Sequence, residues 1–317
     1  MYKNLIKISI KNMSHDEWLA ERRNHIGGSD AAAIVGMNKW SSPVSVWADK
    51  LGKIPPKEDN EAMRQGRDLE QYVAERFTEA TGKKVRRENA ILVNPAYPFA
   101  HANVDRLIIG EDAGLECKTT SVLNLKTYKN GEYPDNYYVQ CVHYMAVTGA
   151  KRWYLAVLVL GVGFYVFTIE RDEDEINALM NAEKEFWQYV ANEEMPPVDG
   201  SDPTSDTLER IYPESNGETV DMTAFGAKLE TYQKLGERID ELKKDREGIA
   251  NEIKAYMGEA EKGEAEAFRV SYKSSERRTF DSKRFAADHP DMELDEYYNV
   301  SNSRTFRITT IKKKENM

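Results

Sequence analysis

The sequence predicts an α/β (α+β) fold in which a central mixed β-sheet is flanked by helices. Three observations support it: short β-prone segments follow one another, a pair of longer apolar segments flanks a glycine turn, and helical patterns surround both groups. The short segments are AILV (90–93), HANVDRLII (101–109) and GLECKT (114–119). The longer ones are RWYLAVLVL (152–160) and GFYVFTIE (163–170), and the helical patterns cover about residues 60–81, 137–147 and 173–192.

Two shorter helices are predicted before this region. The first begins at His15 behind the cap residue Ser14. The second lies in GGSDAAAIVG (27–36), where a glycine loop leads into a helix capped by Ser29 or Asp30. A glycine pair that opens a helix exposes backbone N–H groups, which attract anions. Simple helix capping explains Ser29 equally well at this point.

The composition of the chain changes after about residue 195. The stretch EEMPPVDGSDPTSD is rich in proline, serine and acids, which is typical of a linker. We therefore predict a first domain at 1–197, a linker at 198–220 and a C-terminal appendage at 221–317.

The appendage combines a long helix with a small β-unit. Apolar residues recur at spacings of three and four between residues 229 and 256, with one break at Arg246, and predict a helix suited to oligomerisation or partner binding. Two alternating segments, AFRVSYK and RTFRITTIKKK, are predicted to pair around the short helix DSKRFAADHP.

Bulk properties exclude several classes of protein. A net charge of −10 argues against a protein that coats nucleic acid through phosphate neutralisation alone. Two cysteines are too few for a disulfide framework or a four-thiolate metal site, and we expect a cytoplasmic protein without membrane segments. No GxxxxGK[ST] loop and no HExxH motif are present, which argues against a nucleotide-hydrolysing motor and a zinc enzyme.

A candidate site is formed by Asp105, Glu116 and Lys118. Glu116 and Lys118 are two residues apart on a predicted strand and therefore share one face, while Cys117 points the opposite way. A short connection through Gly110 and Gly114 would place Asp105 beside Glu116 in an antiparallel pair. Alone, this triplet is also compatible with ordinary residues of an edge strand.

Two adjacent carboxylates repel each other unless one is protonated or a cation lies between them. Oxygen donors favour Mg²⁺, with Mn²⁺ as a substitute, and the carbonyl of Cys117 can add a ligand. Glu70, at the margin of the inward face of the helix over 60–81, is either a third acidic group near the metal or a boundary residue that reaches solvent. Lys118 would orient the attacking water or stabilise the transition state.

Five motifs in order resemble one known family: RRNHIGGSDAAAIVG, QGRDLE, NVD, LECK and YYVQCVHYMAVTG. From about residue 18 to 197 the chain resembles the YqaJ-type viral recombinases, relatives of phage lambda exonuclease in the PD-(D/E)XK nuclease superfamily, which have a restriction-endonuclease-like fold. Val104 stands where that superfamily often has proline.

The resemblance implies roles for individual residues. Asp105, Glu116 and Lys118 match the catalytic core, Glu70 the acid donated by a helix, and Gln140 a glutamine that helps to position the nucleophile. Arg22 and Ser29 match positions that hold a phosphate.

The resemblance also implies an activity: a Mg²⁺-dependent exonuclease that resects linear duplex DNA from 5′ to 3′ in phage-type recombination, in a bacterial host. It implies action on DNA ends, a homo-oligomer such as a ring-forming trimer, and a single-strand annealing protein as partner. Two alternatives remain open from the sequence, namely a PD-(D/E)XK endonuclease and a non-catalytic DNA-binding scaffold.

Overall fold

The computed structural model describes residues 1–56, 59–290, 292, 294–299 and 303–309. The chain divides into two compact units, Met1–Tyr212 and Pro213–Met317. Within the described part of the chain, no helix combines the length and the apolar composition needed to cross a membrane.

The first unit alternates helices with strands as the sequence predicts. Its helices are α1 (His15–Arg23), α2 (Gly28–Ile34), α3 (Pro43–Lys50), α4 (Glu61–Thr81), α5 (Leu125–Lys129), α6 (Asp135–Thr148), α7 (Glu173–Ala191) and α8 (Asp202–Ile211). Its strands are β1 (Ile6–Ser9), β2 (Val85–Arg86), β3 (Ala90–Val93), β4 (His101–Ala102), β5 (Arg106–Ile108), β6 (Ala113–Thr120), β7 (Arg152–Val159) and β8 (Gly163–Glu170).

Eight strands form two sheets within the described residues of this unit. The larger sheet has the order β2-β5-β6-β7-β8, with β6 and β7 parallel and the other neighbours antiparallel, and the smaller has the order β1-β3-β4. The predicted mixed sheet is therefore confirmed. The parallel pair needs a crossover, and α5 with α6 supplies it.

Helices cover both faces of the larger sheet. Val73 and Phe77 of α4 pack on one face against Leu115. On the other face, Trp153 and Leu155 of β7 belong to the main core, to which α6 contributes most of its residues. Because successive side chains of a strand point to opposite faces, residues 113, 115 and 117 of β6 face α4, and residues 114, 116 and 118 face α6.

The segment HANVDRLII (101–109) is not one strand, as its pattern predicted, but two. β4 pairs with β3 in the small sheet, whereas β5 pairs with β6 in the large sheet. Residues 103–105 carry the chain from one sheet to the other.

The predicted linker at 198–220 contains helix α8. Ser201 caps this helix, and the hydroxyl of Thr207 lies 2.8 Å from that of Ser45 in α3. The first compact unit accordingly extends to Tyr212.

The second unit contains the long helix α9 (Gly226–Met257), strands β9 (Lys262–Ala265) and β10 (Phe268–Ser271), and helix α10 (Ser282–Asp288). The expected pairing of AFRVSYK with RTFRITTIKKK is wrong for the described residues, because β10 pairs with β9 in a hairpin and residues 304–309 form no strand. Residues 310–314 of that segment lie outside the described part. Across both units, the described residues also include three short 3₁₀ helices, at Val122–Asn124, Thr223–Phe225 and Asp295–Tyr297.

Candidate active site

Asp105 lies where the chain enters the large sheet, one residue before β5. β5 pairs with β6 at Arg106↔Leu115 and Leu107↔Gly114, and no described strand pairs with this edge of β6 beyond Leu115. The Asp105 carboxylate occupies this edge, where its Oδ2 accepts a hydrogen bond of 2.7 Å from the backbone N–H of Cys117. A side chain therefore replaces a strand at this position and brings Asp105 beside Glu116.

Glu116 and Lys118 share one face of β6, as the two-residue period of a strand requires. Glu116 is 3% exposed, and its Oε1 lies 2.6 Å from Lys118 Nζ. The structure thus brings together the three residues that the sequence assigned to one site.

The electrostatics of this cluster show an excess of negative charge. Burial raises the pKa of Asp105 well above its ordinary value, and Glu116 and Glu70 raise it further. Burial alone would lower the pKa of Lys118, but Glu116 and Asp105 outweigh it and raise that pKa above its ordinary value. Lys118 therefore carries its positive charge at neutral pH.

Gln140 reaches this cluster from α6. Its Nε2 donates to Glu116 Oε1 at 2.8 Å, and its Oε1 accepts from Lys118 Nζ at 3.0 Å. The same Nε2 lies 2.9 Å from the hydroxyl of Tyr144, which donates to the carbonyl of Asn103 at 3.1 Å. The Gln140 amide is therefore held in one orientation, with its oxygen towards the ammonium of Lys118 and its nitrogen towards the carboxylate of Glu116.

Sequence reasoning missed Tyr144. Its signal was its position four residues after Gln140, which places both on the same face of a helix.

The donor atoms fit a hard cation. Glu116 Oε2 is buried and has no hydrogen-bond partner, so a lone pair of a charged group remains unsatisfied. The N–H and carbonyl of one strand residue point to the same side of the strand, so the carbonyl of Cys117 faces Asp105. In the described residues no group of three His, Cys, Asp or Glu side chains is arranged around a metal position. Two carboxylates suffice for Mg²⁺, which keeps several of its waters.

Glu70 lies on α4 and forms an ion pair with Arg106 Nη1. Arg106 is 2% exposed; it donates to the carbonyl of Asp105 at 2.6 Å and to Gln71 Oε1 at 3.0 Å. Glu70 is thus close enough to influence Asp105, but one of its oxygens binds a guanidinium. Sequence reasoning missed Arg106, although it directly follows Asp105.

Arg22 lines a cleft of about 660 Å³ and binds the hydroxyl of Ser29. Arg22 Nη2 donates to Ser29 Oγ at 3.1 Å, and the guanidinium lies 4.7 Å from the ring centroid of Trp18. Ser29 is exposed. Arg22 is therefore available to a ligand that enters the cleft, and Ser29 is available at the surface beside Arg22.

The cap of α2 differs from the prediction. Gly27, not Ser29 or Asp30, is the N-cap residue, and Asp30 reaches back so that its Oδ2 accepts from Gly27 N at 2.9 Å. Asp30 also lies 2.6 Å from Lys50 Nζ. Burial raises the pKa of Asp30, but Lys50 and Arg22 outweigh it and lower that pKa to about 2.

Gly28 connects α2 with the centre around Glu116. A Cβ at this position would lie 2.6 Å from Cε1 of Tyr144 and 3.1 Å from Cγ of Gln140. The absence of a side chain lets α2 pack directly on α6. Burial raises the pKa of the Tyr144 hydroxyl well above its ordinary value, and Arg22 is close enough to oppose this rise.

His143, one turn from Gln140, is a core residue. Its Nε2 donates to the carbonyl of His101 at 2.9 Å, and its Nδ1 lies 2.8 Å from Glu183 Oε1. Both ring nitrogens are occupied, in agreement with the interpretation of this residue as a satisfied core histidine.

Sequence similarity to known proteins identifies the family of this chain. Residues 17–151 match the YqaJ-like viral recombinase domain. The chain belongs to this family, and the resemblance seen in the sequence motifs is confirmed. Over 306 residues it is 41% identical to protein YqaJ of Bacillus subtilis (strain 168), a match that covers 95% of this chain and 95% of the relative.

A solved structure shares the fold over about half of this chain. The protein in that structure is LHK-Exo, an alkaline exonuclease from Laribacter hongkongensis. Its crystal structure in complex with dAMP superimposes with a TM-score of 0.50 at 23% sequence identity, covering 56% of this chain and 94% of that chain. Another crystal structure of the same exonuclease gives a TM-score of 0.49 with the same identity and coverage.

Proposed function

We propose that this protein is a magnesium-dependent deoxyribonuclease, an exonuclease that resects linear double-stranded DNA from 5′ to 3′ in phage-type homologous recombination. The observation that carries the proposal is the convergence of Asp105, Glu116 and Lys118 at the open edge of β6, with Glu116 Oε2 buried and unpaired. Membership of a recombinase family supports it, as does a fold shared with a protein described as an alkaline exonuclease.

The carboxylates of Asp105 and Glu116, with the carbonyl of Cys117, are the groups that would hold the metal. When bound, Mg²⁺ would neutralise the two acids and polarise a scissile phosphate, and Mn²⁺ has the same donor preference. Glu70 would join this set only after release from Arg106.

The chain's own side chains supply the rest of the chemistry. Because the pKa of Lys118 is raised, its ammonium donates hydrogen bonds at neutral pH, so we assign it to orienting water and stabilising negative charge at the phosphate. Gln140 holds Lys118 and Glu116 in fixed relative positions. Arg22 and Ser29 provide a guanidinium and a hydroxyl for a neighbouring phosphate.

One assay tests the proposal. The purified full chain is incubated with linear duplex labelled at one end, carrying or lacking a 5′ phosphate, with magnesium or with a chelator. Glu116→Gln should reduce digestion by at least about 100-fold, since it removes a charge at the reacting centre. Glu111→Gln, the same change in the turn at the other end of the β5–β6 hairpin, is the matched control and should digest DNA at the parent rate.

Other outcomes identify the alternatives. Equal rates for the Glu116→Gln variant and the parent would remove the assigned site. Cleavage of covalently closed circles at the rate of linear DNA would indicate an endonuclease. Tight DNA binding with no loss of DNA in magnesium would indicate a scaffold, and loss of label from 3′ ends first would reverse the polarity.

We further propose that the protein acts at DNA ends as a homo-oligomer, with a single-strand annealing protein, in the cytoplasm of a bacterial host. Resection leaves a single strand, which an annealing protein would accept. Co-purification of the two proteins, with and without resected DNA, is the measurement that tests the partnership.

A further inference from the structure

Helix α9 exposes an apolar face that is interrupted by one arginine. Among the apolar residues of this face, which all lie in the described part of the chain, exposure ranges from 42% at Ile253 to 94% at Tyr256. The α9 stripe, as we call this face, consists of Tyr232, Leu235, Ile239, Leu242, Arg246, Ile249, Ile253 and Tyr256. The helix has 32 residues and is therefore about 48 Å long.

The spacing of the α9 stripe is that of a coiled coil. From residue 232 to 256 its members alternate steps of three and four, so they occupy the a and d positions of a seven-residue repeat without interruption. A helix that packs on a globular domain needs a broader apolar face, whereas a strict a/d repeat fits one other helix of the same kind. Tyr232 also contacts Phe306, at 5.7 Å between ring centroids, but remains 55% exposed.

We propose that α9 pairs with α9 of a second copy of this chain as an antiparallel two-stranded coiled coil. In this arrangement residue 232 lies opposite residue 256 of the second copy, and every member of the stripe has a counterpart. Ile239 then packs on Ile249 of the second copy. Arg246, the single polar member, lies opposite Leu242 and can extend its guanidinium to the edge of the interface.

The charges beside the stripe favour this orientation. Antiparallel pairing places Arg238 opposite Glu252 of the second copy, twice per dimer. Parallel pairing would place Arg246 against Arg246 in the core and Arg238 beside Lys243. Three like-charged contacts would then form, one between the two Arg246 side chains and two between Arg238 and Lys243, with no attractive pair to offset them.

Two residues near the dyad meet their own copies in the antiparallel pair. Lys243 already forms an ion pair of 3.0 Å with Asp240, which reduces its repulsion from the second Lys243. The two Asp245 side chains lie on the same side as the two Arg246 side chains, so opposite charges alternate there. Arg238 forms an intrahelical pair of 3.2 Å with Glu241 and, with several donors, can bind Glu252 as well.

Sedimentation equilibrium of the full chain tests whether the stripe joins two copies. The combined variant Ile239→Asp and Ile249→Asp should halve the mass of the assembly, towards the 36.3 kDa of one chain if no other interface contributes. The matched control places aspartates on the outer face of α9, by Lys244→Asp and Asn251→Asp, and should keep the parent mass. Equal masses for the parent and the stripe variant would overturn the proposal.

A charge exchange tests the orientation. Arg238→Glu should raise the dissociation constant about tenfold, because two attractive pairs become repulsive, and adding Glu252→Arg should restore it. In a parallel pair Arg238→Glu would face Lys243 and tighten the dimer. Tightening, or failure of the second change to restore affinity, would overturn the antiparallel assignment.

Oxidative cross-linking provides an independent readout. The combined variant Ile239→Cys and Ile249→Cys should give a covalent dimer on mild oxidation, whereas Ile239→Cys alone should give none. The parent protein, with Cys117 and Cys141, is the control for native thiols. A covalent dimer from the single variant would overturn the proposed orientation, and no dimer from the double variant would overturn the pairing.

Discussion

Gly28→Ala is the substitution whose effect follows most directly from the structure. The added methyl group would lie 2.6 Å from Cε1 and 2.9 Å from Cζ of Tyr144, and 3.1 Å from Cγ of Gln140. Cβ atoms do not approach other atoms below 3.0 Å, so the Tyr144 ring must move. The ring carries the hydroxyl that binds Gln140 at 2.9 Å and Asn103 at 3.1 Å. A steric change in α2 is thus transmitted to the amide that holds Glu116.

The expected magnitude combines two costs. Overpacking of a core costs about 1–3 kcal/mol, and a buried hydrogen bond that is lost costs about 1 kcal/mol. Helix propensity offsets up to about 1 kcal/mol of this. We therefore expect the free energy of unfolding of the first unit to fall by about 2 kcal/mol. A shift of the site by about 1 Å should lower the rate of DNA digestion by about 100-fold.

Tryptophan fluorescence in urea measures the stability of this unit alone, because all five tryptophans lie between residues 1 and 212. Gly66→Ala is the matched control. A Cβ at Gly66 in α4 meets only Thr119 Oγ1, at an ordinary 3.7 Å, so this variant should be as stable as the parent or more stable. If the Gly28→Ala variant unfolds and digests DNA as the parent does, the coupling between α2 and the site is refuted.

Three further predictions concern buried charges. Burial alone would lower the pKa of His143, but Glu183 raises it above 6.5, and burial raises the pKa of Glu183. The stabilisation from this pair is therefore present below pH 6.5 and lost as the pH rises through the folded pKa of His143. Urea unfolding from about pH 6 to 9 should show this loss as a decrease in the free energy of unfolding, and Glu183→Gln should make the pH dependence weaker. Lys118→Met should reduce digestion about 100-fold while increasing the thermal stabilisation by magnesium, because the acids lose their neutralising ammonium; unchanged stabilisation would contradict this. Arg106→Gln should lower the free energy of unfolding by about 2 kcal/mol, less than for a fully buried pair since Glu70 is partly exposed, and an unchanged urea midpoint would contradict it.

Much of the site follows from local rules. The two-residue period of a strand places Glu116 and Lys118 on one face, and a short connection between two strands returns Asp105 to Glu116. The structure contains the shared face of Glu116 and Lys118. It also places Asp105 near Glu116, but not as an antiparallel pair: the β5–β6 pairing includes Arg106↔Leu115 and goes no further, and the Asp105 carboxylate accepts a hydrogen bond from the N–H of Cys117 instead.

What sequence reasoning missed depends on contacts between distant elements. Arg106 follows Asp105, but its role depends on Glu70, 36 residues earlier on α4. Gly28 is one of several glycines in the sequence, and only the approach of α6 makes it necessary. Contacts between elements that are distant in the sequence leave no periodic pattern in the sequence from which they could be predicted.

The β-strand errors have a similar origin. Both halves of HANVDRLII form strands, as their β-prone composition predicts, but composition does not reveal that the chain changes sheets between residues 102 and 106. In the second unit, β10 pairs with β9, a strand that the sequence pattern did not predict. This pairing closes a short loop, which costs less conformational entropy than the longer loop that the predicted pairing would close.

The position of Asp105 between two sheets has a consequence for how activity arises during folding. A chain that has assembled only the five-stranded sheet already presents Glu116 and Lys118 from β6. Asp105, however, then lies in a segment, residues 103–105, that is anchored only at β5. Attachment of β4 beside β3 fixes the other end. On the proposed mechanism, hydrolysis therefore requires that both sheets are complete.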